Sequence, residues 1–600
     1  MRLEVKIKRN LELVSRMKHA SCESLLANPV TGLKSHLLNN GDEFVCTLFG
    51  NEVICRWPFG ELRSLIYLMQ FPYRRGLFRR EGGIGFQRIL GFHDIYPRQL
   101  AREPPNDCLL YFKYQMSVNG VSVFVLSCLV KCLTLNEKLY FSTDFEVHRN
   151  WLALTHSLPF SQWYKDARNV WTLDYPPFFA YFEYVMSLLA KFVDPEMVNV
   201  DRINYASFNT IVFQRVSVII ISDGLLALGT WMILPHGQRI KGLFLTLFSS
   251  SLFIVDHIHF QYNGMLIGLL LMSAVLVQNK RFYAGAILYM ILIYLKHIYL
   301  FCAPVYFVYF LRNHVLSVKR LADRIKRLTV LVLIILGVSF IALYPLIHTN
   351  QLGAAFKRMF PFERGLTHSY WAPNVWAIYS FADRFLGMIL GLRASSGAGS
   401  STAGMVGVTE MLALPNITPR FSIMVTLCSL LPLLMLVRND KRGNIPFITW
   451  IGLGCAFAFE FGWHVHEKAV LMVVIPLLMG RLVQGGFAVA EWDLSVVACA
   501  SLLPLLPRFD ETPLKLVLFI TGLLLDSIIL DVDVPPRLHV ILIASVPEIY
   551  RLVLHPVIFG SSRYEFLPLM MNSVVSAVLI MGLILKVILM CKSATNIKAQ

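Results

Sequence analysis

Charge is what this sequence has least of. Asp, Glu, Lys and Arg make up 16% of its 600 residues, against 56% hydrophobic, whereas soluble domains run to about a quarter charged. No soluble core hides that much apolar surface, and the mean hydropathy of +0.57 points the same way. A disulfide framework is also missing: the cysteines number eleven, an odd count, and beyond the N-terminal segment most, such as Cys302, Cys428, Cys455 and Cys499, lie in apolar stretches. Nor is there an apolar leader. Residues 1–10 are charged, so the first good span is expected to act as the targeting signal.

What is present is a series of uncharged stretches of about 16 to 20 residues, the length a helix needs to cross hydrocarbon. Residues 328–346, 421–437 and 567–585 are clear cases. Further candidates are 119–134, 178–193, 211–234, 242–255, 265–277, 284–311, 445–461, 469–479, 494–506, 516–530 and 540–554. The run 284–311 is long enough for two short helices with a turn at Lys296 and His297. The fold class is therefore an all-α polytopic membrane protein.

A net charge of +17 would suggest nucleic acid in a soluble protein. Here many Lys and Arg sit in short loops between spans, which reads as topology through the positive-inside rule, and no nucleic-acid partner is expected. The basic segments 312–327 and Arg438, Lys441 and Arg442 are placed in the cytosol; one crossing from each puts 348–420 and 463–468 on the far side. Residues 394–407 form a flexible Ser/Gly/Ala-rich stretch within the first of these loops. Residues 1–118 are basic, broken by Gly and Pro, and hold no convincing span. They are assigned no fold and are either a cytosolic extension or a gene-model artefact.

Five polar clusters stand out against this background. STDFEVHRNW supplies Asp144, Glu146, His148 and Arg149, and WTLDYPP supplies Asp174, in a loop 135–177 whose Trp151, Trp163, Tyr164 and Trp171 suit helices lying at the membrane interface. An acid beside Arg149 fits general-base work on a polar substrate held near lipid, and simple solvation is the bland alternative. DHIHFQYNG carries Asp256, His257, His259, Gln261 and Asn263 between apolar spans, where such density marks a substrate path. Its two histidines lack a third ligand at a metal-site spacing.

Lys296 and His297 interrupt an apolar run, where a cation needs an anionic partner such as a lipid phosphate, or else snorkels to the interface. FPFERGLTHSYWAPN gives Glu363, Arg364, His368, Trp371 and Asn374, with Arg suited to phosphate and Trp to a sugar face, unless they are only an interfacial belt. WHVHEK presents His464, His466, Glu467 and Lys468 without the HExxH spacing of a zinc hydrolase; a solvated helix end is its bland reading.

Taken in order, STDFEVHRNW, WTLDYPPFFAYFEY, DHIHFQYNG, LKHIYL, FPFERGLTHSYWAPNVWA and FGWHVHEKAVL closely resemble the endoplasmic-reticulum glucosyltransferases that use dolichyl phosphate glucose to extend the lipid-linked oligosaccharide. The resemblance covers 119–600 and not the first 118 residues. It implies the polytopic GT-C fold with about 12–14 transmembrane helices, long luminal loops at 135–177 and 348–420, and an active site facing the lumen. HSYWAPN, LKHIYL and WHVHEK look like the branch that adds the second glucose, in α-1,3 linkage, rather than the branch that adds the first.

The essential loop acid of that family falls on Asp144, which the resemblance makes the catalytic base of an inverting single displacement, with Glu146, Arg149 and Asp174 in support. Lys296, His297, Arg364, His368 and Trp371 are the expected donor phosphate and sugar contacts. Asp256, His259, Gln261, Asn263, His464, His466, Glu467 and Lys468 line the substrate path. No metal and no other cofactor is expected. The expected partners are dolichyl phosphate glucose, the dolichyl-diphosphate oligosaccharide and membrane lipids. No spacing here reads glucose against mannose, so the sugar rests on the resemblance alone, as does retention in the endoplasmic reticulum, for Lys598 is only a fragment of a dilysine signal. A polytopic transporter is the rival of another class, and a catalytically dead scaffold is disfavoured by Asp144 and Asp174.

Overall fold

The computed structural model describes residues 120–132, 142–360, 362, 365–368, 370–392, 411–440, 443–485, 489–560 and 563–596. The extension 1–118, the stretch 394–407, Glu363, Arg364 and Lys598 lie outside the described residues. Among the described residues helices form throughout and no strand does; one isolated bridge joins Trp371 to His466.

Among the described residues seven helices are long and apolar enough to span a bilayer by themselves: Phe208–Ile233, His236–Ile258, Leu321–His348, Pro419–Asn439, Phe509–Leu530, Pro535–Phe559 and Leu567–Thr595. Shorter apolar helices are Gly120–Cys132, Asn263–Gln278, Phe282–Leu295 and Phe447–Phe461. The apolar runs of the sequence all fall on helices, and the long run 284–311 does break at Lys296, whose extended backbone (φ −149°, ψ 111°) ends Phe282–Leu295. A short 3₁₀ turn, His297–Cys302, and the helix Ala303–Phe310 follow.

The long and short helices divide the labour. Leu321–His348 is only 17% buried along its most apolar window, with Leu333, Phe340 and Ile341 exposed, the surface a lipid-facing helix offers. Asn263–Gln278 and Phe447–Phe461 are buried almost throughout. Asn263–Gln278 lies so close to Phe208–Ile233 that a Cβ on Gly229 would stand 2.4 Å from the Gly268 carbonyl oxygen; only glycine allows that approach.

Two π-helical turns mark the interior, Val218–Ser222 in one long helix and Phe253–Ile258 at the end of the next. They face each other: Ser222 Oγ donates to Asp256 Oδ2 (3.1 Å), and His257 Nε2 meets Asp223 Oδ1 (3.2 Å). Lys131 from the first helix closes this triad at 2.7 Å from Asp223 Oδ2. Extra residues in a helix often re-aim side chains at functional sites, and here the second turn delivers His259 to the adjoining loop.

In the loop 135–177 the expected helix is there: Thr143–Ser157 buries Trp151, Leu152 and Leu154 against the protein, and Trp163 and Tyr164 are equally enclosed. Aromatic rings from the chain's own helices surround these side chains. In the loop 348–420, Leu352–Met359 carries Lys357 and Arg358 beside an exposed Phe356, and Val375–Ile389 is capped by the Asn374 side chain.

Candidate active site

The first loop helix begins with a cap. Ser142 Oγ accepts from the Phe145 N–H at 3.1 Å and donates to the His259 carbonyl, tying the helix start to the DHIHFQYNG loop. Asp144 therefore sits in the first turn, where the helix dipole favours a carboxylate. Its Oδ2 takes three contacts: Lys468 Nζ at 2.5 Å, Gln261 Nε2 at 2.5 Å and His259 Nε2 at 3.3 Å. No described residue contacts Oδ1, and the side chain keeps 21% of its surface exposed.

Burial alone would push the Asp144 carboxyl up, but the Lys468 ammonium and then His259 outweigh it and hold it well below the usual carboxylate range. Burial, and next the same ammonium, push His259 down. A neutral imidazole nitrogen cannot both accept and donate; the Lys468 contact at 2.9 Å is shorter than the Asp144 one, so we read Nε2 as accepting from the ammonium. Burial lowers Lys468, and the charges of Asp144 and Glu467 more than restore it.

The DHIHFQYNG loop braces itself. Asn263 Nδ2 donates to Asp256 Oδ1 (2.9 Å) and to Gln261 Oε1 (2.8 Å), while Asp256 Oδ2 accepts the Gly264 N–H (2.7 Å). Phe260 turns the corner with φ +74°, a left-handed conformation uncommon outside glycine. Lys296 joins through Asn263 Oδ1 at 3.2 Å and lies 5.2 Å from the Tyr175 ring centroid. A continuous chain of contacts thus runs Lys296, Asn263, Gln261, Asp144, Lys468.

The segments 365–374 and 463–468 meet beside it. His464 takes the Leu366 carbonyl on its backbone N–H (3.0 Å) and sets Nδ1 2.7 Å from the Gly365 carbonyl. His368 stacks on His466 at 3.9 Å and brings Nδ1 to 3.4 Å from Glu467 Oε2. Burial and the charges of His368, Lys468 and His464 hold His466 well below the usual imidazole range. Atoms of His368, His466 and Glu467 lie within 4.8 Å of one another, close enough to converge on a metal ion. Glu467 also faces the Lys468 ammonium at 4.0 Å, a charge that a metal ion on the same carboxylate would have to share.

Several expected residues occupy other roles. Arg149 is fully buried, grips both Glu146 oxygens (2.9 and 2.6 Å) and donates to the carbonyls of Met197 and Asn199 (both 3.3 Å). Glu146 and Arg149 anchor the helix that carries Asp144; they do not face it. Asp256 is spent on the loop turn. Trp371, expected to stack on a sugar, is 5% exposed, with its carbonyl taken by Ser573 Oγ (2.7 Å). His297 packs its ring 5.0 Å from Phe360, outside the chain of contacts. Asp174 is half-buried beside Tyr175, Tyr164 and Arg358, whose titrations feel its charge.

Tyr175 and Glu183 are members that residue patterns did not reveal. Glu183 meets His148 at 2.7 Å, yet it lies in an apolar run that reads simply as a span; Tyr175 sits inside the LDYPP motif, which was the available signal.

A carboxylate paired through one oxygen with the Lys468 ammonium, and joined by a chain of contacts to a second lysine at the end of Phe282–Leu295, is equipment for moving a group from an anionic leaving group to a hydroxyl. A sequence model of the ALG6, ALG8 glycosyltransferase family matches residues 124–587. The chain belongs to this glycosyltransferase family. Its relatives include a mouse protein named dolichyl pyrophosphate Glc1Man9GlcNAc2 alpha-1,3-glucosyltransferase, 42% identical over 417 residues, which are 65% of this chain and 78% of that protein. A Neurospora crassa protein of the same name is 42% identical over 472 residues, 74% of this chain and 93% of its own. A Drosophila melanogaster protein, named as a probable enzyme of this kind, is 44% identical over 380 residues, 61% and 73% of the two chains. The GT-C type of membrane fold, expected from the motifs, is the fold of this family.

Proposed function

We propose that this family member transfers glucose from dolichyl phosphate glucose to the monoglucosylated high-mannose lipid-linked oligosaccharide, adding the second glucose in α-1,3 linkage. The carrying observation is the Asp144 carboxylate, fixed through Oδ2 and open at Oδ1, with Lys296 and Lys468 beside it. The printed names of the mouse, Neurospora and Drosophila relatives support the acceptor and the linkage. On this reading the site faces the lumen of the endoplasmic reticulum, and the product enters N-glycan assembly.

The chemistry is one displacement with inversion. Asp144 Oδ1 accepts the proton of the acceptor hydroxyl as that oxygen bonds to the glucose anomeric carbon, and the bond from that carbon to the phosphate oxygen breaks. Its electron pair leaves on phosphate, whose charge grows during the step, and preorganised cations lower the barrier most where charge develops. Lys296 and Lys468 supply those cations without a metal, with His368 beside them. Arg364, from the same loop, is a further candidate.

The test supplies purified protein with a dolichyl phosphate glucose analogue and either acceptor. A gain of one hexose on the monoglucosylated acceptor, absent in Asp144→Asn, is the expected result. Transfer only to the unglucosylated acceptor would assign the chain to the sibling activity that adds the first glucose, and transfer to neither would favour a transporter.

A further inference from the structure

The site holds two ammonium groups in unequal company. Lys296 has only neutral partners, the Asn263 amide oxygen at 3.2 Å and the Tyr175 ring, and among the described residues no carboxylate stands within 4.0 Å of it. Lys468 is held by Asp144 at 2.5 Å, with His259 at 2.9 Å and Glu467 at 4.0 Å. The base is thus neutralised in the ligand-free protein by the stronger-held of the two cations. A carboxylate clamped by an ammonium is a poor proton acceptor, because the pairing favours its ionised form.

Asp144 does not depend on that clamp for its orientation. Gln261 Nε2 holds the same oxygen at 2.5 Å, and Gln261 is itself fixed by Asn263 at 2.8 Å. The lysine can therefore leave the carboxylate while the amide keeps it aimed. Lys468 is joined to Lys296 by an unbroken chain of contacts through Asp144, Gln261 and Asn263, so an anion drawn to the first cation comes near the second.

We propose that Lys468 is shared between the base and the donor: in the free protein it neutralises Asp144, and when the phosphodiester of a polyprenyl-phosphate sugar docks at Lys296 it turns to that phosphate and releases the carboxylate. This rests on the donor chemistry proposed above. Donor docking then activates the base, and the proton of the acceptor is taken only when a leaving group is in place. Coupling between two sites is reciprocal. If donor phosphate and Asp144 compete for one ammonium, removing the carboxylate charge must strengthen donor binding.

The experiment measures binding of dolichyl phosphate, which cannot turn over, to the full chain in lipid nanodiscs. Asp144→Asn is expected to bind tighter than wild type by roughly tenfold, within the usual range of coupling between sites, although the same variant loses transfer. Asp144→Glu, which keeps the charge, is expected to bind as wild type does and checks that the site is folded. Lys468→Met should bind more weakly, and in the double variant Asp144→Asn with Lys468→Met the gain should vanish. A gain that persists without Lys468 would mean general charge repulsion and overturn the sharing. Unchanged or weaker binding by Asp144→Asn would overturn it too, while loss of hexose transfer in that variant would leave the proposed function standing. Wild type that binds no dolichyl phosphate would sink both.

Discussion

His148 lies one helical turn beyond Asp144, and its Nδ1 stands 2.7 Å from Glu183 Oε1 inside a cage of Trp151, Tyr175, Phe179, Phe260 and Tyr262 rings. The pair joins the loop helix to Pro177–Val193, so the face that presents the base is locked to a neighbouring apolar helix. Removing one member of a buried pair costs roughly 3 to 5 kcal/mol, because the other is left without a partner. Glu183→Ala is expected to lower the thermal midpoint markedly; an unchanged midpoint would show that the pair carries no load.

Arg149 makes four hydrogen bonds from a fully buried guanidinium. Lysine cannot reproduce that fork. Arg149→Lys should destabilise the fold by about 1 to 3 kcal/mol, the cost of buried donors and acceptors left unpaired. Because the side chain does not touch Asp144, kcat should fall by less than in Asp144→Asn. Equal loss in a well-folded Arg149→Lys would place Arg149 in the chemistry itself.

Asp144 gives a pH dependence with a definite sign. Its folded pKa is depressed, so the stability it contributes is present above the ordinary carboxylate value of about 4 and is lost only as pH falls through the lower folded value. In kcat/KM for the donor, which reports the free enzyme, the acid limb should therefore sit below about pH 4. Lys468→Met removes the main lowering influence and leaves burial, so its acid limb should move upward. A limb that stays where wild type has it would exclude Asp144 as the titrating base.

Gly264 has no room for a side chain: a Cβ there would lie 2.7 Å from Ser222 Oγ and 3.4 Å from Asp256 Oδ2. Gly264→Ala should cost about 1 to 3 kcal/mol through overpacking and loosen Asn263, raising the KM for donor through Lys296. A normal KM in a destabilised variant would separate the loop's packing from its binding role.

His368, His466 and Glu467 invite a metal test. Transfer activity after exhaustive chelation should equal that of untreated protein, measured by product mass; a loss restored by one added divalent ion would overturn the lysine-based account of the leaving group.

How much of this the residues announced depends on contrast. Asp144, Lys296 and the WHVHEK cluster stood out because polar side chains are rare in apolar surroundings, and the break at Lys296 was legible in a run too long for one crossing. Glu183 was invisible for the opposite reason: a single acid in an apolar stretch looks like a tolerated exception until His148 is found across from it. Glu146 and Arg149 were visible as members of the polar STDFEVHRNW cluster, but their pairing with each other and the direction of Arg149 toward Met197 and Asn199 are tertiary facts. The loop tryptophans did not announce their partners, because a ring that suits the membrane interface packs against protein equally well, as Trp151 and Trp163 do. The π turns have no local signature here, since the extra residue in each is justified only by the partner turn it meets.

The short helices set a depth. Phe282–Leu295 has 14 residues and Phe447–Phe461 has 15, so each is about 21 to 23 Å long, while the hydrocarbon layer is about 30 Å thick. Both begin near basic residues, Arg281 for one and Arg438 with its neighbours for the other, and both end at the site, at Lys296 and just before Trp463. With the basic ends at one headgroup layer, the other ends stop several ångströms beneath the opposite one. On the reaction proposed above, water and glycan come down into a recess, while the lipid-borne sugar phosphate arrives from the side at its own level, its isoprenoid tail still in the bilayer.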